Sequence, residues 1–341
     1  ARGPYGEDVI EEIETAQETI ETGEWTDQGE DEVATAVEAF REAVTEQLDL
    51  RADANESSRY AQPETLKRIA EAVATASFDA DEDAEDIATL LDATDALATG
   101  LDEAQQWADL TVVQQMRAEG FYDRLNSRNR KDFPPELSVV RIAEKENDPQ
   151  RVLMAMDYLT SQFMQENCVE ALKRMGSPEA YDALMQKVGK RDVDAIEAIG
   201  KMGAAASEAT ETLHTYIDGE SNPPLQKVTL RALGEIGSQE STQPAADRLV
   251  AEDPEVRSQA AHALGRLGDT RAIGPLADVL AEDTDNSVRA AAAWALNAIG
   301  TERALKAAAT YVTDRSYLVQ AEAETAHETL GRDEPEPEAT A

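Results

Sequence analysis

Apolar residues recur along most of the chain at intervals of three, four and seven, the spacing that lays one stripe along an α-helix. In the amino-terminal part the stripes are Val9, Ile13 and Ile20; Val33, Val37, Phe40, Val44 and Leu48; Leu66, Ile69 and Val73. A fourth stretch carries Ile87, Leu90, Leu91, Leu97 and Leu101, and a fifth Trp107, Leu110 and Val113. They predict amphipathic helices of about 12–20 residues with acids on their outer faces. Pro63 and the cluster Asp79-Ala80-Asp81-Glu82-Asp83 mark breaks. Two readings of this acidic helical region, residues 1–133, stay open: a separate bundle, or a diverged part of the array that follows.

From residue 134 the pattern repeats. The segments VEALKRMG, EAIGKMG, LRALGEIG, AHALGRLG, AWALNAIG and AHETLG end on Gly176, Gly203, Gly237, Gly268, Gly300 and Gly331, at intervals of 27, 34, 31, 32 and 31 residues. Five residues before each glycine stands an alanine: Ala171, Ala198, Ala232, Ala263, Ala295 and Ala326. Four before stand Leu172, Ile199, Leu233, Leu264, Leu296 and then His327. An unbroken row of alanines predicts a neighbouring helix too close for anything larger. The terminal glycine suits the left-handed conformation that ends a helix.

A second helical pattern follows each glycine, clearest in Arg271-Ala272-Ile273-Gly274-Pro275-Leu276-Ala277-Asp278-Val279-Leu280. Pro275 sits in a first turn, where proline is tolerated, and Leu276, Val279 and Leu280 form the buried stripe. Asp285-Asn286-Ser287-Val288-Arg289 then opens the next glycine-ended helix, as Asp253-Pro254-Glu255-Val256-Arg257 opens the one before. The unit is helix, turn, helix, and stacked units make a superhelix.

The run from Val256-Arg257 through Ala260-Ala261-His262-Ala263-Leu264-Gly265-Arg266-Leu267-Gly268-Asp269 to Ala272-Ile273-Gly274-Pro275-Leu276 resembles the HEAT repeat of the phycobilisome (PBS) lyase HEAT-like type. The units ending at Gly268 and Gly300 match closely. Others depart, with Leu225-Gln226 and Val319-Gln320 in place of Val-Arg, and the unit ending at Gly203 is four residues short. The resemblance implies an all-α fold, a right-handed α-solenoid of HEAT-like helix pairs over residues 134–331. It also implies a non-enzymatic scaffold or adaptor that binds a protein partner on its concave face. Some haloarchaeal relatives are associated with taxis and motility signalling. The alternatives are a regulatory or assembly factor for an enzyme and, more remotely, a metal-dependent hydroxylase. Residues 332–341, beginning Arg332-Asp333-Glu334-Pro335, read as a disordered acidic tail.

Charge narrows the field. The 341 residues contain 70 Asp and Glu against 31 Lys and Arg, a formal net charge of −39, with residues 1–110 alone at 31 acids to 6 bases. Such a surface repels nucleic-acid phosphates and anionic membranes, so neither is an expected partner. With 22 Arg to 9 Lys and abundant Ala, the composition resembles that of halophiles keeping molar potassium in the cytoplasm, and a haloarchaeal source is expected. Aromatic residues make up only 5%, so the core must be built from Ala, Leu, Ile and Val. The lone Cys168, an opening without an apolar run and the lack of any apolar stretch of spanning length predict a cytoplasmic protein.

Candidate chemistry is sparse. His214, His262 and His327 fall in different units, and His327-Glu328 is the one His-Glu pair where HEAT-like di-iron hydroxylases use several. Cys168 shares a small-residue core position with Ala260 and Ala292, which predicts a buried structural thiol. No catalytic, cofactor or metal site is expected. The face about 110° from each core stripe is more informative, by the helix's 3.6-residue turn. Its positions two and six before the glycine should point to the concave surface. They read Glu170 and Arg174, Glu197 and Lys201, Arg231 and Glu235, His262 and Arg266, then Trp294. Lys201, Arg231, His262, Arg266 and Trp294 are therefore the expected protein-binding residues, Arg and Trp being common interface anchors. The competing reading packs Trp294 between units and pairs the cations with neighbouring acids. A second candidate is the island Arg117, Phe121, Tyr122, Arg124, Arg128, Arg130 and Lys131, expected to grip an acidic partner or to dock on the chain's own acids, with its helix stopped by Pro134-Pro135.

Overall fold

A computed structural model of the chain describes residues 5–48, 62–218 and 222–332. The chain divides into two compact units, residues 1–119 and 120–341. Residues 333–341 of the expected tail lie outside the described residues.

The first unit holds α1 (Gly6–Thr22), α2 (Asp27–Leu48), α3 (Gln62–Ala76) and α4 (Ala84–Glu103). Each of α1 and α2 packs against both α3 and α4. The apolar stripes meet in one core of Val9, Ile13, Val37, Phe40, Leu66, Ile87, Leu97 and their neighbours, with Ile20 and Leu91 half-buried at its margin. The fifth stretch departs from expectation. Trp107–Asp109 is a single 3-10 turn, and α5 (Val112–Ala118) begins after it with Val113 exposed. The cause is tertiary: Trp107 N donates to Glu24 O at 2.8 Å, and Trp25 pairs with Gln106 in an isolated antiparallel bridge. That clamp leaves a single 3-10 turn between extended Gln106 and Leu110 where apolar spacing alone suggested one continuous helix. α5 stops at Ala118, far short of the prolines.

In the second unit a turn-rich loop, 120–134, precedes α6 (Pro135–Glu146), and Pro135 starts that helix instead of ending one. Six helix pairs follow. They are α7 (Pro149–Tyr158) with α8 (Gln162–Met175), α9 (Tyr181–Val188) with α10 (Val193–Lys201), and α11 (Thr210–Ile217) with α12 (Pro223–Ile236). Then come α13 (Thr242–Ala246) with α14 (Pro254–Leu267), α15 (Ile273–Glu282) with α16 (Asn286–Ile299), and α17 (Glu302–Ala309) with α18 (Tyr317–Arg332). Each second helix packs on the next, from α6 through α18, so the unit is an all-α solenoid of helix pairs.

The repeated residues have repeated jobs. Ser161, Asp192, Asn222, Asp253 and Asp285 cap α8, α10, α12, α14 and α16 through their side chains. Each such cap contributes about 1 kcal/mol. Gly176, Gly203, Gly237, Gly268 and Gly300 all have φ between 59° and 78°, which only glycine adopts freely. Gly331 does not follow them: it lies inside α18 and lacks a positive φ. The alanine row is buried throughout, Ala171 to Ala326.

The Val-Arg position has a double role. Four residues after every one of these caps except Asp192, where Ile196 stands, a side chain turns back to the carbonyls ending the preceding helix, which have no partner within it. Gln165 Nε2 donates to Met156 O and Leu159 O, Gln226 Nε2 to Ile217 O at 3.0 Å, Arg257 to Ala251 O and Glu252 O, and Arg289 Nε to Leu280 O at 2.9 Å. The arginines also reach into the following unit, Arg257 to Asp283 and Arg289 to Asp314. Where glutamine stands at 226, the following unit has Ala251 in place of that aspartate. The unit with Gln226 thus keeps the carbonyl cap and drops the bridge.

Candidate protein-binding face

The outward positions of α8, α10 and α12 form a strip of alternating charge. Arg174 donates to Glu144 of α6 at 3.0 Å and to Glu170 at 3.2 Å. Lys173 sits among Glu170, Asp194 and Glu197. Burial works against its charge, but those three carboxylates hold its pKa above the ordinary lysine value. Arg231 donates to Glu197 at 3.2 Å, and Lys201 to Glu235 at 2.8 Å. A groove of about 330 Å³ runs between these side chains, lined by Lys173, Arg174, Glu197, Lys201, Arg231 and Glu235.

Of the five residues expected on this face, Lys201 and Arg231 line that groove. His262 and Trp294 meet edge to face on the next helices, α14 and α16, with ring centroids 4.8 Å apart. Burial first, and Arg266 second, hold the His262 pKa below its usual value, so the ring is neutral at pH 7. Arg266 is exposed and forms no ion pair with a described residue. Trp294 is half-buried and lies over α14, its Cζ3 standing 2.7 Å from where a Cβ on Gly265 would be.

Sequence reasoning missed Lys173 and Glu144, while the pairing of Lys201 and Arg231 with acids of neighbouring units matches its competing reading. The signal was present in the residues already singled out. Positions six before the glycine read Glu197 then Arg231, and positions two before read Lys201 then Glu235. Equal offsets in stacked units face each other, so opposite charges at equal offsets predict a bridge.

The 117–131 island is divided. Arg117 belongs to α5 in the first unit. Phe121 is fully buried, edge-on to Tyr122 at 5.0 Å, so it serves the core and offers nothing to a partner. Tyr122 donates its hydroxyl to Glu136. Arg124, Arg128, Arg130 and Lys131 remain exposed.

Cys168 is fully enclosed, and burial pushes its thiol up to about 12. His214 bonds Ser241 Oγ at 2.9 Å, but Ser241 is itself buried. His327 is exposed on α18. Among the described residues no group of three or more His, Cys, Asp or Glu is placed to hold a metal ion, and no helix is long and apolar enough to cross a membrane.

Residues 243–327 match the HEAT repeats family and residues 164–188 the PBS lyase HEAT-like repeat. No curated protein matches the chain. Among solved structures it is similar to human deoxyhypusine hydroxylase in complex with glycerol, at 16% identity over 88% of this chain and 98% of that one, with a TM-score of 0.34. It is also similar to an engineered protein, at 20% identity over 66% of this chain and 93% of that one, with a TM-score of 0.33.

Proposed function

We propose that this protein is a non-enzymatic scaffold that holds a protein partner along the row of second helices, α6 to α16, in the cytoplasm of a halophilic cell. The observation that carries the reading is the charge strip on α6, α8, α10 and α12. Arg174, Lys201 and Arg231 are each about half exposed, yet the acids that hold them, Glu144, Glu235 and Glu197, are largely buried. The cations are thus fixed in place while their outer surfaces stay free. A preformed surface loses little side-chain freedom when a partner arrives, and more of the contact energy appears as affinity.

Packing supports placing this row on the inside of the solenoid's bend. Glycine facing alanine brings successive second helices close together, whereas the first helices touch their successors sparingly. The more closely spaced row lies on the shorter arc. Stacked HEAT repeats offer such inner surfaces to other proteins, and the neutral His262–Trp294 pair with Arg266 extends the strip toward aromatic and cationic contacts.

Affinity capture from a high-salt native lysate tests the proposal, comparing wild type with a Lys201→Glu, Arg231→Glu double variant of unchanged helicity. The expected result is one partner, identified and reconstituted with purified protein, that wild type retains and the variant loses. Equal retention by both proteins moves the binding site off this face.

A further inference from the structure

The loop between Phe121 and Pro135 brings four cations together beside an exposed aromatic ring. Residues 124–131 carry Arg124, Arg128, Arg130 and Lys131 and not one acid. Many cations elsewhere in this unit are paired at close range, as Arg174, Lys173, Lys201, Arg231, Arg257, Arg271 and Arg289 show. Here Arg124 comes no nearer than 3.9 Å to Glu146, and Arg128, Arg130 and Lys131 form no ion pair with a described residue. The adjacent Asp132 is already taken by Arg141. Directly after the cations Phe133 stands 90% exposed, the most exposed large apolar side chain described.

Nor is this a loose segment. Asn126 N donates to Asn129 Oδ1 at 2.7 Å, Arg128 N to Asn126 Oδ1 at 2.9 Å, and Asn129 Nδ2 to Arg124 O at 2.7 Å. Ser138 Oγ at the start of α6 accepts from Lys131 N at 3.2 Å and Asp132 N at 2.9 Å. Buried Phe121 and the Tyr122–Glu136 hydrogen bond tie down the other end. The backbone is therefore set by its own hydrogen bonds, while four cations and an aromatic ring are left to solvent.

We propose that this loop is a docking site for an acidic segment of another protein, with the Arg and Lys side chains pairing its carboxylates and Phe133 receiving an apolar residue. Charge complementarity selects that occupant. A chain of net charge −39 repels polyanions at long range, so a nucleic acid bringing dense phosphates gains from only eight residues of positive loop. A short acidic peptide brings few charges, and its apolar residue gains from Phe133 at any salt concentration. Arg and aromatic residues are the side chains enriched in such contacts. This site is separate from the second-helix strip and does not depend on it.

The test uses the full chain at the lowest KCl concentration that preserves its helicity. A fluorescent 12-residue peptide with four Asp or Glu, one Leu and otherwise Ser and Gly is titrated and followed by anisotropy. Wild type is compared with Arg128→Glu, Arg130→Glu, with Phe133→Ala, and with Lys201→Glu, Arg231→Glu. The charge-reversed loop is expected to bind about tenfold or more weakly, and Phe133→Ala a few-fold more weakly, from the loss of pairs and of one apolar contact. The strip variant is expected to bind as wild type does. Failure of wild type to bind, indifference to both loop variants, loss in the strip variant, or preference for poly-uridylate over the peptide would each overturn the proposal. The substituted loop side chains are exposed and make no ion pair with a described residue, whereas the strip variant loses the Lys201–Glu235 and Arg231–Glu197 pairs, and a circular-dichroism melt of each variant separates lost binding from lost fold.

Discussion

Gly265 of α14 faces Ala295 of α16 so closely that a Cβ on the glycine would stand 2.8 Å from the Ala295 Cα. The same contact joins Gly200 to Ala232, also at 2.8 Å, and Gly234 to Ala263 at 3.0 Å. Each glycine lies three residues before its unit's terminal glycine and each alanine five before the terminal glycine of the next unit. One notch, repeated, therefore sets the spacing of α10, α12, α14 and α16.

Gly265→Ala is expected to destabilise the array although alanine is the better helix former. The propensity gain is about 1 kcal/mol. Against it stands overpacking on a backbone atom that cannot swing aside, at about 1–3 kcal/mol. Gly274 in α15 is the control, because a Cβ there meets nothing within 4 Å. Gly274→Ala should raise the melting temperature and Gly265→Ala lower it. Shifts of the same sign would show that the notch does not set the spacing.

Ala263→Leu enlarges the other side of the same seam. Ala263 is fully buried and its Cα lies 3.0 Å from where a Gly234 Cβ would be. The larger side chain must displace α12 or leave its rotamer, at a cost of about 1–3 kcal/mol. Denaturant unfolding should show a lower midpoint, and a midpoint equal to wild type would mean the alanine row is not tightly packed.

Much of this was legible in the sequence because the repeat aligns it. Offsets from each terminal glycine located the alanine row, the left-handed helix ends and the outward stripe on which Lys201 and Arg231 meet in one groove. Glycine stands three before the terminal glycine in three successive units, at 200, 234 and 265, but its meaning depends on the backbone distance to the next unit, which no single helix contains. The bridges of Arg257 and Arg289 were hidden for a similar reason: their aspartates lie 26 and 25 residues further along the chain. Trp107, Leu110 and Val113 misled in the opposite direction. A spacing of three suits a helix, and the Trp25–Gln106 bridge that overrides it joins positions 81 residues apart.

Asp269 gives the array a dependence on acid. It accepts from the Arg271 side chain, from Arg271 N at 2.9 Å and from Thr242 Oγ1 at 3.0 Å. The Arg271 side chain foremost, then its backbone amide, lowers the carboxyl to about 2. The folded pKa is below the unfolded value of about 3.9, so this stabilisation is complete above about pH 4 and is lost as pH falls through about 2. Asp269→Asn should be less stable than wild type at pH 7, with the difference shrinking between about pH 4 and pH 2. A stability difference that stays constant across that range in urea titrations would show that the carboxylate charge is not what Arg271 and Thr242 hold.

Salt should separate the two units. Residues 1–110 carry 31 acids against 6 bases, and Arg41–Glu38 lies along one helix, linking no two elements. In the second unit, Lys173, Arg174, Lys201, Arg231, Arg257 and Arg289 join successive helices or units. Lowering KCl from molar to about 0.1 M lengthens the screening distance from about 3 to about 10 Å. Repulsion among the bundle's acids then grows with little attraction to oppose it, and self-repulsion destabilises a compact state. The first unit is therefore expected to unfold at a higher KCl concentration than the second. Trp25 and Trp107 report on the first unit and Trp294 on the second. In dialysis from high salt, variants keeping only Trp25 or only Trp107 should change fluorescence before one keeping only Trp294. Coincident transitions would show that the bridges between helices give the second unit no advantage, and unchanged helicity at 222 nm throughout would show that charge repulsion does not limit either fold.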